Sequence, residues 1–104
     1  GDHSVITELL EHPRVLRMTT PRSDGAVEAA AAEGGANAAH RGAAAHDTGS
    51  FGPRVGNLRI DYVLPSVGQR VTGNGVFWPP SSSPQAAIVD GTDHRLVWVD
   101  VLRD

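Results

Sequence analysis

Two short stretches contain the side chains that could do chemistry in this 104-residue chain. Asp61 lies in the middle of the apolar stretch LRIDYVL, and Asp93 and His94 are adjacent in GTDHRLVWVDV. A carboxylate that accepts a hydrogen bond from one ring nitrogen of a histidine fixes the tautomer and leaves the other nitrogen facing a substrate. The pattern therefore predicts Asp61 beside His94, with Asp93 free to approach a metal ion or to orient a water molecule.

Each of these residues also has a purely structural interpretation. A carboxylate inside an apolar strand is costly to bury without a partner, and Arg59 or a backbone amide would serve as that partner for Asp61. Asp93 follows a Gly-Thr pair and could simply cap a turn. The chain would then be a small α+β domain in which Asp61 and His94 lie apart. The distance between these two side chains discriminates between the interpretations.

Composition excludes several classes of protein and site. The chain has 12 acidic and 9 basic residues, and a net charge of −3 gives no general attraction to nucleic acid. A bound divalent cation can still supply the positive charge that a phosphate substrate needs. The absence of cysteine excludes disulfides and thiolate metal sites. No apolar run approaches the roughly 20 residues that cross a bilayer, so the sequence predicts no membrane span.

The periodicity of the chain predicts two helices followed by three strands. SVITELLEH predicts a short amphipathic helix capped by Ser4, and AVEAAAAEGG predicts a second helix that ends at two glycines. NLRIDYVLP alternates like a strand, and QRVTGNGVFWPP predicts strand residues around a hairpin turn or bulge at Asn74-Gly75. RLVWVDV is apolar on both faces and predicts a central strand. This order predicts an α/β or α+β layered domain, with Trp78 and Trp98 as core or near-core residues of strands.

The segment from Ala36 to Asn57 has no periodicity and is predicted to be a long loop. His40 and His46 lie in it, but their spacing within an alanine-rich stretch matches no zinc site. Solvated loop histidines are the simpler interpretation.

The two motifs together resemble a known family. LRIDYVLPS, followed later in the chain by GTDHRLVWVDV, resembles the C-terminal signature of the endonuclease/exonuclease/phosphatase family, the DNase I-like superfamily. That family has an R-[IL]-D-Y-[VIF] strand and then [ST]-D-H at the head of its last strand. GVFWP, and the earlier GGANAAHRG and HDTGSF, resemble segments of secreted bacterial members. The resemblance therefore covers most of the chain.

The resemblance implies a fold, an activity and a site. The implied fold is a four-layer α/β sandwich with mixed β-sheets, of which this chain would be the C-terminal portion. The implied activity is metal-dependent hydrolysis of a phosphoester, with Mg²⁺, Mn²⁺ or Ca²⁺ as cofactor and a nucleic acid, a phospholipid or a sugar phosphate as substrate. His94 would be the catalytic histidine, Asp61 would orient it, and Asp93 would be a metal ligand beside the attacking water. The implied location is secreted or periplasmic.

The N-terminal part of the family pattern does not occur in this sequence. That part contributes a metal-binding Glu, an Asn and a G-D-x-N stretch, whereas Gly1-Asp2 is followed here by His3-Ser4. We therefore expect residues 1–104 to fold against a missing N-terminal portion of the same domain, without which the site would be inactive. A second hypothesis is a non-catalytic binding module that keeps the strand pattern of the family.

Overall fold

The structure is a computed structural model that describes residues 4–39 and 42–103. Within these residues the helices are α1 (Ser4–Leu10) and α2 (Asp24–Glu33), and the strands are β1 (Gly49–Ser50), β2 (Asn57–Leu58), β3 (Val71–Phe77) and β4 (Leu96–Val101). Short 3₁₀ helices occur at Gly35–Ala39, Ala44–His46 and Ala86–Val89. The strands form two antiparallel sheets, β1–β2 and β3–β4. The chain is thus a small mixed α/β structure, as the sequence predicts at this coarse level. No helix in the described part is long and apolar enough to cross a membrane.

Both predicted helices are confirmed. In α2, residues within the local sequence determine where the helix begins and ends. Ser23 has extended dihedral angles, and its hydroxyl accepts a hydrogen bond from the amide of Ala26, so it caps the helix. Gly34 ends the helix with φ 63°, a left-handed value that favours glycine, and its amide donates to the Ala30 carbonyl. Because Ser23 is the cap, α2 begins at Asp24, slightly earlier than predicted.

The hydrophobic core lies between α2 and the β3–β4 sheet. Ala26, Val76 and Trp78 are buried there, and Ala29 and Val97 pack against them. Val76 and Val97 are directly opposite each other across the two strands, so they present one apolar surface to the helix. Ala26 and Ala29 of α2 therefore pack on one face of this sheet.

The strand predicted for NLRIDYVLP is wrong over most of its length. Only Asn57–Leu58 pairs as a strand, and residues 59–65 run as irregular chain. The physical reason is that the hydroxyl of Thr48 accepts hydrogen bonds from the amides of Ile60 and Asp61, each at 3.0 Å. A side chain thus takes the place of the backbone carbonyls that a continued ladder would supply.

The hairpin turn or bulge predicted at Asn74-Gly75 is also wrong. β3 runs continuously through this point and pairs with β4 from Val71 to Phe77, with the irregularity of the register lying between Val71 and Gly73 instead. Gly75 is needed inside the strand because a Cβ atom there would lie 2.8 Å from the ring of Trp98. The glycine thus marks a close approach of an indole ring rather than a turn.

The prediction of a central strand for RLVWVDV is wrong within the described residues. There β4 pairs with β3 alone. Leu96 and Val101 are exposed, and Trp98 is 39% exposed, so its predicted place in or near the core is wrong, whereas that of Trp78 is confirmed. The reason is that α2 packs on the face of β4 that contains Val97. Leu96 and Trp98 lie on the opposite face, which is exposed.

The predicted long loop between Ala36 and Asn57 contains more structure than expected. Besides β1 and two 3₁₀ helices, it contains a contact in which the side-chain oxygen of Asn37 accepts a hydrogen bond from the Asn57 amide at 2.7 Å. The Ala36 amide donates to the carbonyl of Pro53 at 2.8 Å. These contacts close the segment on itself and hold β1 against β2.

Candidate functional site

The backbone around β1 joins the two stretches that contain the predicted site residues. The amide of Thr48 donates to the carbonyl of Leu58 at 2.9 Å, and the carbonyl of Thr48 accepts from the amide of Arg95 at 2.7 Å. Gly49 forms an antiparallel bridge with His94. The end of one motif and the beginning of the other are therefore adjacent in space, although they are far apart in sequence.

Asp61 and His94 form a side-chain pair. Nδ1 of His94 lies 3.0 Å from Oδ2 and 3.2 Å from Oδ1 of Asp61. An ionised carboxylate can only accept hydrogen bonds, so in the neutral ring the proton lies on Nδ1 and Nε2 holds a lone pair. The side chain of His94 is 50% exposed, which leaves the ring accessible to a molecule from solvent.

The alternative partner of Asp61, Arg59, is engaged elsewhere. Its guanidinium lies over the ring of Tyr62, 4.4 Å from the centroid, and the hydroxyl of Tyr62 donates to the Arg59 carbonyl at 3.1 Å. The structure thus brings together Asp61 and His94, and the interpretation in which these two side chains lie apart is not supported.

Thr48 holds the Asp61 carboxylate from the protein side. Its hydroxyl donates to Oδ2 of Asp61 at 2.9 Å, and Thr48 is only 1% exposed, so the donor of this contact is buried. Thr48 is not among the residues predicted from the sequence. In the sequence, Thr48 lies in the DTG stretch of the predicted loop. Nothing in that stretch places Thr48 beside Asp61, because this proximity depends on the pairing of β1 with β2.

Asp93 lies on the other side of the imidazole. Its Oδ1 is 3.8 Å from Nε2 of His94, and its side chain is 61% exposed. The turn that presents both residues is held by the hydroxyl of Thr92, which accepts from the His94 amide at 3.1 Å, and by the Asp93 carbonyl, which accepts from the Ser50 amide at 2.8 Å. Asp61 therefore lies at Nδ1 of the ring and Asp93 near Nε2.

Phe51 forms one wall of the site. Its ring meets the His94 ring edge to face, with centroids 5.9 Å apart and an interplanar angle of 85°. The ring lies so close to the backbone that a Cβ atom at Gly49 would be 2.6 Å from it. Glycine at this position therefore allows the aromatic ring to pack beside the histidine.

Arg95 stabilises the turn that presents Asp93 and His94. Its Nη1 donates to the carbonyls of Thr92 and His94 at 2.7 Å and 3.1 Å, and its guanidinium lies over the ring of Trp78, 4.6 Å from the centroid. Burial lowers the pKa of Arg95, while nearby aspartates oppose this shift. The guanidinium thus connects the turn to Trp78 of the core.

Of the two loop histidines, the structure describes His46. His46 is half-buried, and its pKa is lowered by burial and then by the positive charges of Arg59 and Arg22. The other member of the histidine pair considered from the sequence, His40, lies outside the described residues.

The described residues do not by themselves fit a metal centre. Among residues 4–39 and 42–103 no group of three or more His, Asp and Glu side chains is arranged to hold a metal ion. The carboxylate of Asp61 is already engaged with Thr48 and His94, whereas Mg²⁺ and Ca²⁺ take about six or more oxygen ligands. The role of Asp93 as a metal ligand stays a prediction.

Comparisons with known proteins identify no relative of this chain. No protein-family model matches the chain, and no curated protein or solved structure matches it. The interpretation of the site therefore rests on its own contacts and on the two motifs that contain its residues.

Proposed function

We propose that this chain belongs to a phosphoester hydrolase in which His94, oriented by Asp61, handles the proton of the hydrolytic water. The observation that carries the proposal is the 3.0 Å contact between Nδ1 of His94 and Oδ2 of Asp61, together with the exposure of the ring. The order of the R-I-D-Y-V and T-D-H motifs, which resembles that of the DNase I-like superfamily, supports the same reaction class.

The chemistry follows from the protonation of the neutral ring. Nδ1–H donates to Asp61, so the lone pair of Nε2 can accept a proton from a water molecule as the water oxygen attacks phosphorus. The ester P–O bond breaks, its electron pair leaves with the alcohol oxygen, and that oxygen takes up a proton from the imidazolium or from solvent. The ring then returns to its neutral form, with any remaining proton released to solvent. The imidazolium that forms is stabilised by Asp61 and by Asp93, whose Oδ1 lies 3.8 Å from Nε2.

The charge of the site indicates what else the reaction needs. With a neutral ring, Asp61 and Asp93 place two negative charges beside His94, and a phosphoester brings at least one more. The nearby guanidinium of Arg95 is occupied by the turn and by Trp78. We therefore propose a divalent cation such as Mg²⁺, with Asp93 as one ligand and the remaining ligands outside the described residues.

The finer fold proposed for the chain is the C-terminal portion of a four-layer α/β sandwich. In such a fold a second layer would cover the face of β4 on which Leu96 and Trp98 are exposed. The proposed partner is the remaining portion of the same domain, which would also supply the other metal ligands.

Hydrolysis by the full-length protein tests the proposal. We expect turnover of at least one substrate among bis-p-nitrophenyl phosphate, DNA, a phospholipid and a sugar phosphate in the presence of Mg²⁺, and loss of turnover in EDTA. The variant His94→Gln should lower kcat by about 100-fold or more, because it removes the group that accepts the proton. Circular dichroism serves as the control for folding. Equal rates for wild type and His94→Gln would contradict the proposal.

A second candidate function is binding of a phosphoester without hydrolysis. The observation that favours it is that no group of three metal-ligating side chains occurs in the described part of the chain. In this case titration calorimetry of the full-length protein would detect a phosphoester ligand that is not converted to product.

A further inference from the structure

We propose that Thr48 is a positioning residue of this site, whose hydroxyl fixes the Asp61 carboxylate and thereby the tautomer of the His94 ring. The effect of this positioning role on hydrolysis rests on the proposed function, whereas the contacts of Thr48 with Asp61 do not. Thr48 touches neither a substrate nor Nε2 of His94, so its effect acts through Asp61.

The three hydrogen bonds of the Thr48 hydroxyl determine the direction in which it donates. A hydroxyl group has one hydrogen to donate and two lone pairs that accept. Both lone pairs are used, because the amides of Ile60 and Asp61 donate to Oγ1 at 3.0 Å each. The hydrogen therefore has one remaining direction, toward Oδ2 of Asp61 at 2.9 Å.

The fixed hydroxyl in turn fixes the roles of the next two groups. Oδ2 of Asp61 accepts from Thr48 and lies 3.0 Å from Nδ1 of His94, so the carboxylate is held between two donors. This requires the ring proton on Nδ1 and leaves Nε2 as the acceptor.

The position of Thr48 is itself well determined. It is 1% exposed, its amide donates to the Leu58 carbonyl, and its carbonyl accepts from the Arg95 amide. A threonine side chain has few χ1 rotamers because it is branched at Cβ. Without the hydroxyl, the Asp61 carboxylate, 36% exposed, would be held from one side only and could rotate toward solvent.

The test compares two substitutions at Thr48 with one matched control. Thr48→Val removes the hydroxyl and keeps the shape, and Thr48→Ser keeps the hydroxyl. The control, Thr72→Val, makes the same change at an exposed threonine of β3. In full-length protein with ¹⁵N-labelled histidine, the nitrogen shifts of His94 identify the tautomer of the neutral ring. We expect the Nδ1–H tautomer in wild type, Thr48→Ser and Thr72→Val, and a mixture of tautomers in Thr48→Val.

The kinetic constants kcat and KM provide a second test, because a purely structural role of Thr48 would not lower kcat selectively. For Thr48→Val we expect kcat to fall by about 10- to 100-fold with a smaller change in KM, and Thr48→Ser should restore most of the loss. Wild-type tautomer and wild-type kcat in Thr48→Val would overturn the proposal.

The wild-type protein decides the question if Thr48→Val does not fold. An Nε2–H tautomer of His94, or a Thr48 hydroxyl proton that exchanges rapidly with water, would overturn the positioning role directly. A tautomer change in Thr48→Val, combined with no phosphoester hydrolysis by wild type, would instead refute the proposed function and leave the positioning role in place.

Discussion

The substitution Asp61→Asn is expected to lower kcat for phosphoester hydrolysis by about 10³- to 10⁴-fold while the protein stays folded. The amide oxygen can still accept the hydrogen bond of the Thr48 hydroxyl at the place of Oδ2. The amide nitrogen then stands where Oδ1 lies 3.2 Å from Nδ1 of His94, and it donates instead of accepting. The amide oxygen at the place of Oδ2 still lies 3.0 Å from Nδ1 and can accept from it, so the amide offers the ring both an acceptor and a donor. The neutral amide therefore no longer fixes the Nδ1–H tautomer and no longer opposes the positive charge of the imidazolium, and a ring that is protonated on Nε2 cannot take a proton from water.

Initial rates of the full-length wild type and Asp61→Asn measure this effect. The matched control is Asp100→Asn, which neutralises an exposed carboxylate on β4 away from the ring and should leave kcat near that of wild type. Thermal denaturation followed by circular dichroism verifies that both variants are folded. An Asp61→Asn variant that retained more than about a tenth of wild-type kcat would contradict the role of Asp61, because a wrong tautomer should cost far more.

The substitution Gly25→Ala is expected to destabilise the fold by about 3 kcal/mol or more, since it forces atoms into an already packed contact. A Cβ atom at Gly25 would lie 2.0 Å from the carbonyl oxygen of Trp78 and 2.8 Å from that of Pro79. These are backbone atoms, which cannot move aside as a flexible side chain can. Because Trp78 is a core residue and packs against Arg95, the change should also disturb the turn that presents His94.

Chemical denaturation of Gly25→Ala and of Gly91→Ala, compared with wild type, measures this prediction. Gly91 has no atom within 4 Å of a Cβ added to it, so the same substitution should change the free energy of unfolding by no more than about 0.5 kcal/mol. Equal unfolding free energies for the two variants would show that α2 does not pack on Trp78 as described.

The parts of the fold that were predicted from the sequence depend on signals close together in the chain. The alanine-rich stretch and Gly34, which ends α2, lie within a single short segment, whereas the cap at Ser23 was not predicted. The association of Asp61 with His94 was expected from the two motifs and not from periodicity. The two motifs thus predicted which side chains lie side by side, even though the strand predicted for the first motif is wrong over most of its length.

The parts that were not predicted depend on partners that are distant in sequence. β2 ends early because the hydroxyl of Thr48 takes the amides of Ile60 and Asp61. β4 was expected to be central because its sequence is apolar on both faces, yet Trp98 is partly exposed. Hydrophobicity indicates that a face can be buried, but it does not specify what covers it.

A crystal structure of the full-length protein with orthovanadate, an analogue of the phosphoryl group in hydrolysis, would test the central claim most directly. We expect a vanadate oxygen within about 3.2 Å of Nε2 of His94, with Nδ1 still in contact with Asp61. Vanadate bound away from His94, or a ring whose Nε2 faces away from the bound oxyanion, would contradict it.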